Sequence, residues 1–138
     1  MKNIREDKGY TYGIYSVVVA HKSASHFCII SDVGQSVCKA AINEIHHELK
    51  ILQETPVSEE ELQLVKNYFV GDLLRHLDNP FALSEALKNN LLFDTDNTYY
   101  QQLIQKIQKV TAKDIQDLAK TYFNPEDLYL VVCGENKE

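Results

Sequence analysis

The sequence predicts an α+β fold, an antiparallel or mixed sheet with several helices packed on one face. Three observations carry that prediction. Runs rich in β-branched and aromatic residues stand near both ends of the chain, at 10–20, 25–31 and 128–133. Between them, from about 32 to 122, apolar residues recur at helical spacing. Polar breaks containing Pro, Asn or Asp divide this central block into separate helices.

The elements follow in order. Met1 to Asp7 reads as the tail of a helix or loop with no capping residue ahead of it, so the start looks truncated. Tyr10–Ala20 is a strand, His21–Ala24 a polar break and Ser25–Ser31 a second strand. So short a link joins antiparallel neighbours, which predicts a hairpin. Asp32-Val-Gly-Gln35 has the form of a capping box, and Val37, Ala41, Ile45, Leu49 and Leu52 follow on one helical face as far as Glu54. Thr55-Pro56 ends that helix.

Ser58-Glu-Glu-Glu61 is a further capping box, opening a helix whose stripe is Leu62, Val65, Phe69, Leu73 and Leu77. Asp78-Asn-Pro80 interrupts it, and Leu83, Leu87 and Leu91 restart a stripe. A polar loop at 94–97 precedes a helix carrying Tyr99, Leu103 and Ile107. Thr111-Ala-Lys-Asp114 caps the last helix, which should bury Ile115, Leu118 and Tyr122. After Asn124-Pro125, Leu128–Cys133 reads as a closing strand buried on both faces. Three strands are few for so many helices, so further strands upstream are expected to complete the sheet.

Composition narrows the function classes. At 138 residues, 44% apolar and 25% charged, the chain suits one domain spanning 1–138 with its own core. A formal net charge of −6 without a basic tract argues against nucleic acid or an anionic membrane surface as partner. Cys28, Cys38 and Cys133 have no metal-ligand spacing and are odd in number, so they read as small core residues. No apolar run approaches the ~20 residues of a membrane span, and no targeting signal is visible.

The histidines are His21, His26, His46, His47 and His76, and none forms H-E-x-x-H or H-x-x-E-H. His46-His47-Glu48 is a cluster, but adjacent helical residues point about 100° apart, which suits a solvated face better than a shared ion. No metal is expected on this chain. No nucleophile elbow or Gly-rich phosphate loop is present, and the eight tyrosines read mostly as core or half-buried residues.

One local feature remains. Arg5-Glu-Asp-Lys-Gly-Tyr-Thr-Tyr12 sets an arginine and a tyrosine seven residues apart across a helix-to-strand turn, with Gly9 at the turn. Arginine offers a planar fork of donors for carboxylate or carbonyl oxygens, and a phenol is a neutral donor. On chemistry alone, the same residues better fit a surface Arg–Glu or Arg–Asp pair beside a core tyrosine.

The stretch Asn3–Ser16 resembles a signature of the insulinase/pitrilysin (inverzincin) family, which includes mitochondrial processing peptidases and many bacterial zinc proteases. There an Arg-Glu-Lys-like run leads to Gly-Leu-x-Tyr and a strand. Pro56–Leu62, Asp78–Glu85 and Tyr122–Leu128 resemble later family landmarks in the same order. The resemblance implies that residues 1–138 are the C-terminal two-thirds of a peptidase domain of the second, non-zinc-binding type. It implies zinc in the intact enzyme, held by a homologous domain or subunit, and a peptide or unfolded polypeptide as substrate. Tyr12 then has the catalytic role of an oxyanion donor, and Arg5 with Tyr12 binds substrate.

Such an assembly is expected to be a zinc metalloendopeptidase, which the sequence assigns to neither the cytoplasm nor the periplasm of a bacterium, and this segment alone is expected to be inactive and to associate with itself. The alternatives are a catalytically inactive scaffold subunit of the same family and a free-standing peptide-binding module.

Overall fold

The computed structural model describes residues 2–75, 78–96 and 98–134. Its residues cluster into two units. One is built from the chain up to Glu54 together with the segment from Ala119 onward, and the other is Thr55–Leu118.

The first unit opens with a π-helical turn at Lys2–Asp7, followed by strands β1 (Thr11–Ala20) and β2 (Ser25–Val33). They pair antiparallel as predicted, with Val17 opposite Cys28 and Ala20 opposite Ser25. Near the open end the register slips by one residue. Thr11 faces Val33 but Ile14 faces Ser31, so Tyr12 and Gly13 lie in a β-bulge. A 3₁₀ turn, Gln35–Val37, leads into α1 (Cys38–Glu54), whose Ala41 and Leu49 are buried. The tertiary anchor at the far end is Phe123, which packs its ring on Phe27 of β2 at 4.9 Å. Gln53 of α1 donates to the carbonyls of Ala119 and Phe123, fastening the last helical turn to α1.

The second unit holds α2 (Glu59–Arg75), α3 (Pro80–Leu92), α4 (Tyr99–Lys109) and most of α5 (Ala112–Tyr122). Local signals set their ends. Ser58 Oγ accepts from Glu61 N, and Asn79 Oδ1 accepts from Ala82 N with Pro80 in the first turn. Lys66 of α2 donates to the Gln108 carbonyl at the end of α4.

At α5, Thr111 and Asp114 cap each other reciprocally: Thr111 N and Oγ1 donate to Asp114 Oδ2, and Asp114 N donates to Thr111 Oγ1. The Thr111 hydrogen bonds hold the Asp114 carboxyl below its ordinary value of 3.8. A depressed folded-state pKa stabilises above the unfolded value and is lost as pH falls through the folded one. Asp114→Asn is therefore expected to lower the unfolding temperature at pH 7, with the gap to wild type closing below about pH 3.8. A difference independent of pH would contradict this.

Several expectations need correction. Asp32 is not a helix cap. It continues β2, and Gly34 caps the 3₁₀ turn instead, because strand pairing reaches Val33. The closing strand does not form. Leu128–Cys133 has no ladder partner among the described residues, and Tyr129 and Val131 are 97% and 88% exposed. The sheet among the described residues is β1–β2 alone. The leucine stripe of α3 is exposed, and the same helix buries Ala86 and Asn90 on a different face.

Val65, Phe69, Leu118 and Tyr122 are likewise exposed. Most tyrosines lie open to solvent rather than in a core, and Cys133 is exposed, with Cys28 and Cys38 partly covered. In each case spacing marked a face suited to burial but could not supply the surface that covers it. Leu77 and His76 lie outside the described residues.

Candidate functional site

The site is built where the first turn meets β1. Ile4, 4% exposed, anchors the π-helical turn in the core. Lys8 N donates to the Asn3 carbonyl and Tyr10 N to that of Ile4, each at 3.0 Å, closing the wide turns around Arg5. Gly9 then reverses the chain with φ +62°, a left-handed backbone that costs a side-chain-bearing residue about 1–2 kcal/mol. β1 begins two residues later.

The bulge in β1 has its own lock. Thr11, buried at 8% exposure, donates from Oγ1 to the Asp32 carbonyl at 2.6 Å and accepts from Gly13 N at 3.1 Å. Ser31 Oγ donates to the Gly13 carbonyl at 3.0 Å. Two hydroxyls thus serve the backbone groups that the slipped register takes from the ladder. Thr11→Val keeps the shape but strands the Gly13 amide and Asp32 carbonyl. It should cost about 1–3 kcal/mol in chemical unfolding. A variant as stable as wild type would show that water serves those groups equally well.

The two sequence-predicted site residues meet here. The Arg5 guanidinium carbon lies 5.4 Å from the centroid of the Tyr12 ring, in cation–π range. Tyr12 is 90% exposed. It is therefore not the core tyrosine of the alternative reading: the bulge turns it outward, and its ring carries the guanidinium over its face. The pair presents an exposed phenol and a cationic fork side by side.

Behind the pair stand residues that local motifs did not reveal. Asn3 Nδ2 donates to Glu44 Oε2 at 3.0 Å and to Glu48 Oε1 at 2.5 Å, and Lys8 Nζ forms an ion pair with Glu44. The Lys8 and Asn3 hydrogen bonds hold the Glu44 carboxyl below its ordinary value, and Glu44 raises Lys8 in turn. Lys8 also lies 6.0 Å from the Tyr10 ring. The helical spacing of Glu44 and Glu48 was the available signal, since residues four apart share a face.

The donor set for a metal is different. His46 and His47 are exposed on α1, beside a concavity of about 560 Å³ lined in part by Leu49, Lys50, Phe123 and Leu128. Among the described residues no group of three or more His, Cys, Asp or Glu side chains is placed to hold a metal ion. The residues described do not fit a zinc site. No helix among the described residues is long and apolar enough to cross a membrane.

Solved structures share this fold. The chain matches the crystal structure of a peptidase M16 inactive domain from Pseudomonas fluorescens with a TM-score of 0.79 at 16% identity, covering 90% of this chain and 29% of that one. It matches the crystal structure of a protease from Helicobacter pylori with a TM-score of 0.80 at 18% identity, covering 89% of this chain and 30% of that one.

In sequence it is 25% identical over 134 residues to the uncharacterized zinc protease YmxG of Bacillus subtilis (strain 168), covering 96% of this chain and 32% of that protein. The chain thus spans about a third of the length of these relatives. No protein-family model matches the sequence. The insulinase-family resemblance read from residues 3–16 holds at the level of fold and of similarity to a zinc protease.

Proposed function

We propose that this chain is the C-terminal two-thirds of a substrate-positioning domain in a zinc metalloendopeptidase of the insulinase family. The observation that carries the reading is the contact of Arg5 with Tyr12 at an exposed bulge. Similarity to a zinc protease supplies the reaction class. The metal belongs to a homologous domain or subunit, in keeping with the lack of H-x-x-E-H in this sequence. The Pseudomonas neighbour, described as an inactive domain, fits a domain of this type.

The chemistry assigned to this chain is positioning and charge stabilisation. A peptide lies extended beside the hairpin, the arrangement that satisfies its backbone groups. The Arg5 fork holds a carbonyl or carboxylate of that peptide, charge-assisted and directional. The Tyr12 phenol donates to the oxygen that becomes negative as the scissile carbonyl turns tetrahedral, without giving up its own proton. Neither group cleaves a peptide bond alone.

The test uses the protein that carries this chain together with its metal-bearing counterpart, assayed on an unfolded polypeptide. Arg5→Ala should raise KM roughly ten- to a hundredfold with a smaller change in kcat, because the interaction is made in ground and transition states alike. An unchanged KM, or an assembly with no metal-bearing counterpart, would falsify the assignment and favour the scaffold reading.

A further inference from the structure

Beyond the Arg5–Tyr12 pair, and resting on the function proposed for it, we infer that Glu44 of α1 is a positioning residue that holds the arginine-bearing turn in place. Three observations converge on it. Its two carboxylate oxygens are divided between partners on either side of Arg5: Oε2 accepts from Asn3 and Oε1 pairs with Lys8. The turn between those partners is a π-helix of six residues, a form with wide, weakly favoured hydrogen bonding that seldom stands alone. The side chains of Lys8 and Glu44 are 33% and 20% exposed, so each is partly covered where they meet.

Glu44 thus closes a bridge that begins two residues before Arg5 and ends three residues after it. Glu48, one helical turn on, takes the second Asn3 hydrogen and keeps that amide oriented. The bridge spans 41 and 36 residues of sequence, so it fixes the turn to α1 rather than to its own neighbours. Tyr12 is held independently, through Thr11, Ser31 and the bulge. Two separate anchors therefore determine where the guanidinium meets the ring, and Glu44 controls the side that carries Arg5.

Two measurements test this. In the complete enzyme, hydrogen exchange followed by mass spectrometry reads the amides of residues 3–10. Glu44→Ala should speed their exchange about tenfold, with Glu44→Gln intermediate because it still accepts from Asn3, while α4 is unchanged. In the complete enzyme, Glu44→Ala should raise KM about tenfold, and the Glu44→Ala/Arg5→Ala double variant should be no worse than Arg5→Ala alone.

Unaltered exchange at 3–10 overturns the proposal. So does faster exchange with additive effects on KM, which would make the contact merely structural. If Glu44→Ala fails to fold, Lys8→Met removes one arm of the bridge and must give the same pattern in milder form, or the inference is wrong. Faster exchange combined with an Arg5→Ala variant of normal KM leaves the anchor standing and removes the function proposed for the arginine, so the two failures are distinguishable.

Discussion

Replacing Tyr12 by Phe in the complete enzyme is expected to lower kcat by about 10²–10³ while leaving the unfolding temperature unchanged. The ring itself is retained, so the contact with the Arg5 guanidinium at 5.4 Å survives, and only the hydroxyl is lost. Tyr12 is 90% exposed, so the missing oxygen strands no buried partner and stability is not at issue. Under the proposed role the loss falls on kcat, because the hydroxyl would act where charge develops and not where substrate is merely bound. A Phe variant with wild-type turnover would remove Tyr12 from the reaction and leave the arginine as a binding group only.

The second large effect concerns the segment after the last helix. The 138-residue chain on its own is expected to associate, giving an apparent mass in light scattering that exceeds 15.8 kDa and grows with concentration. Leu128–Cys133 is apolar, free of charge and free of proline, and Tyr129, Leu130, Val131 and Val132 are all exposed. A stretch with no ladder partner among the described residues and with exposed apolar side chains has the pattern that recruits a second strand. Val131→Lys should return the mass toward 15.8 kDa, because a charge on a pairing segment repels its copy. A wild-type chain that is monodisperse at that mass would show that the exposed segment is inert.

What the sequence made legible was local. The hairpin, the end of α1 at Glu54 and the starts of α2, α3 and α5 each follow from nearby residues: a short polar link, Pro56, Ser58, Asn79 with Pro80, and the Thr111–Asp114 pair. The Arg5–Tyr12 pair was legible as a resemblance and its contact is a fact of the fold. What was not legible depends on groups far apart in the chain. Val65, Phe69, Leu83 and Leu87 lie on stripes suited to burial, yet a stripe does not specify a covering surface. Residues 128–133 have strand composition, but a strand exists only against a neighbour. The bulge at Tyr12 is written in the hydroxyls of Thr11 and Ser31, twenty residues apart, and composition gives no sign that they meet.

Gly9 acquires a further meaning from this layout. It stands between the anchored arm that bears the guanidinium and the locked strand that bears the phenol, and its φ of +62° is the left-handed turn that joins them. A rotation there would strain the hydrogen bond from Tyr10 N to the Ile4 carbonyl that spans the joint and shift one group against the other. Catalysis can be sensitive to displacements of about 1 Å. The alignment of the two groups thus depends, besides their two anchors, on a residue with no side chain.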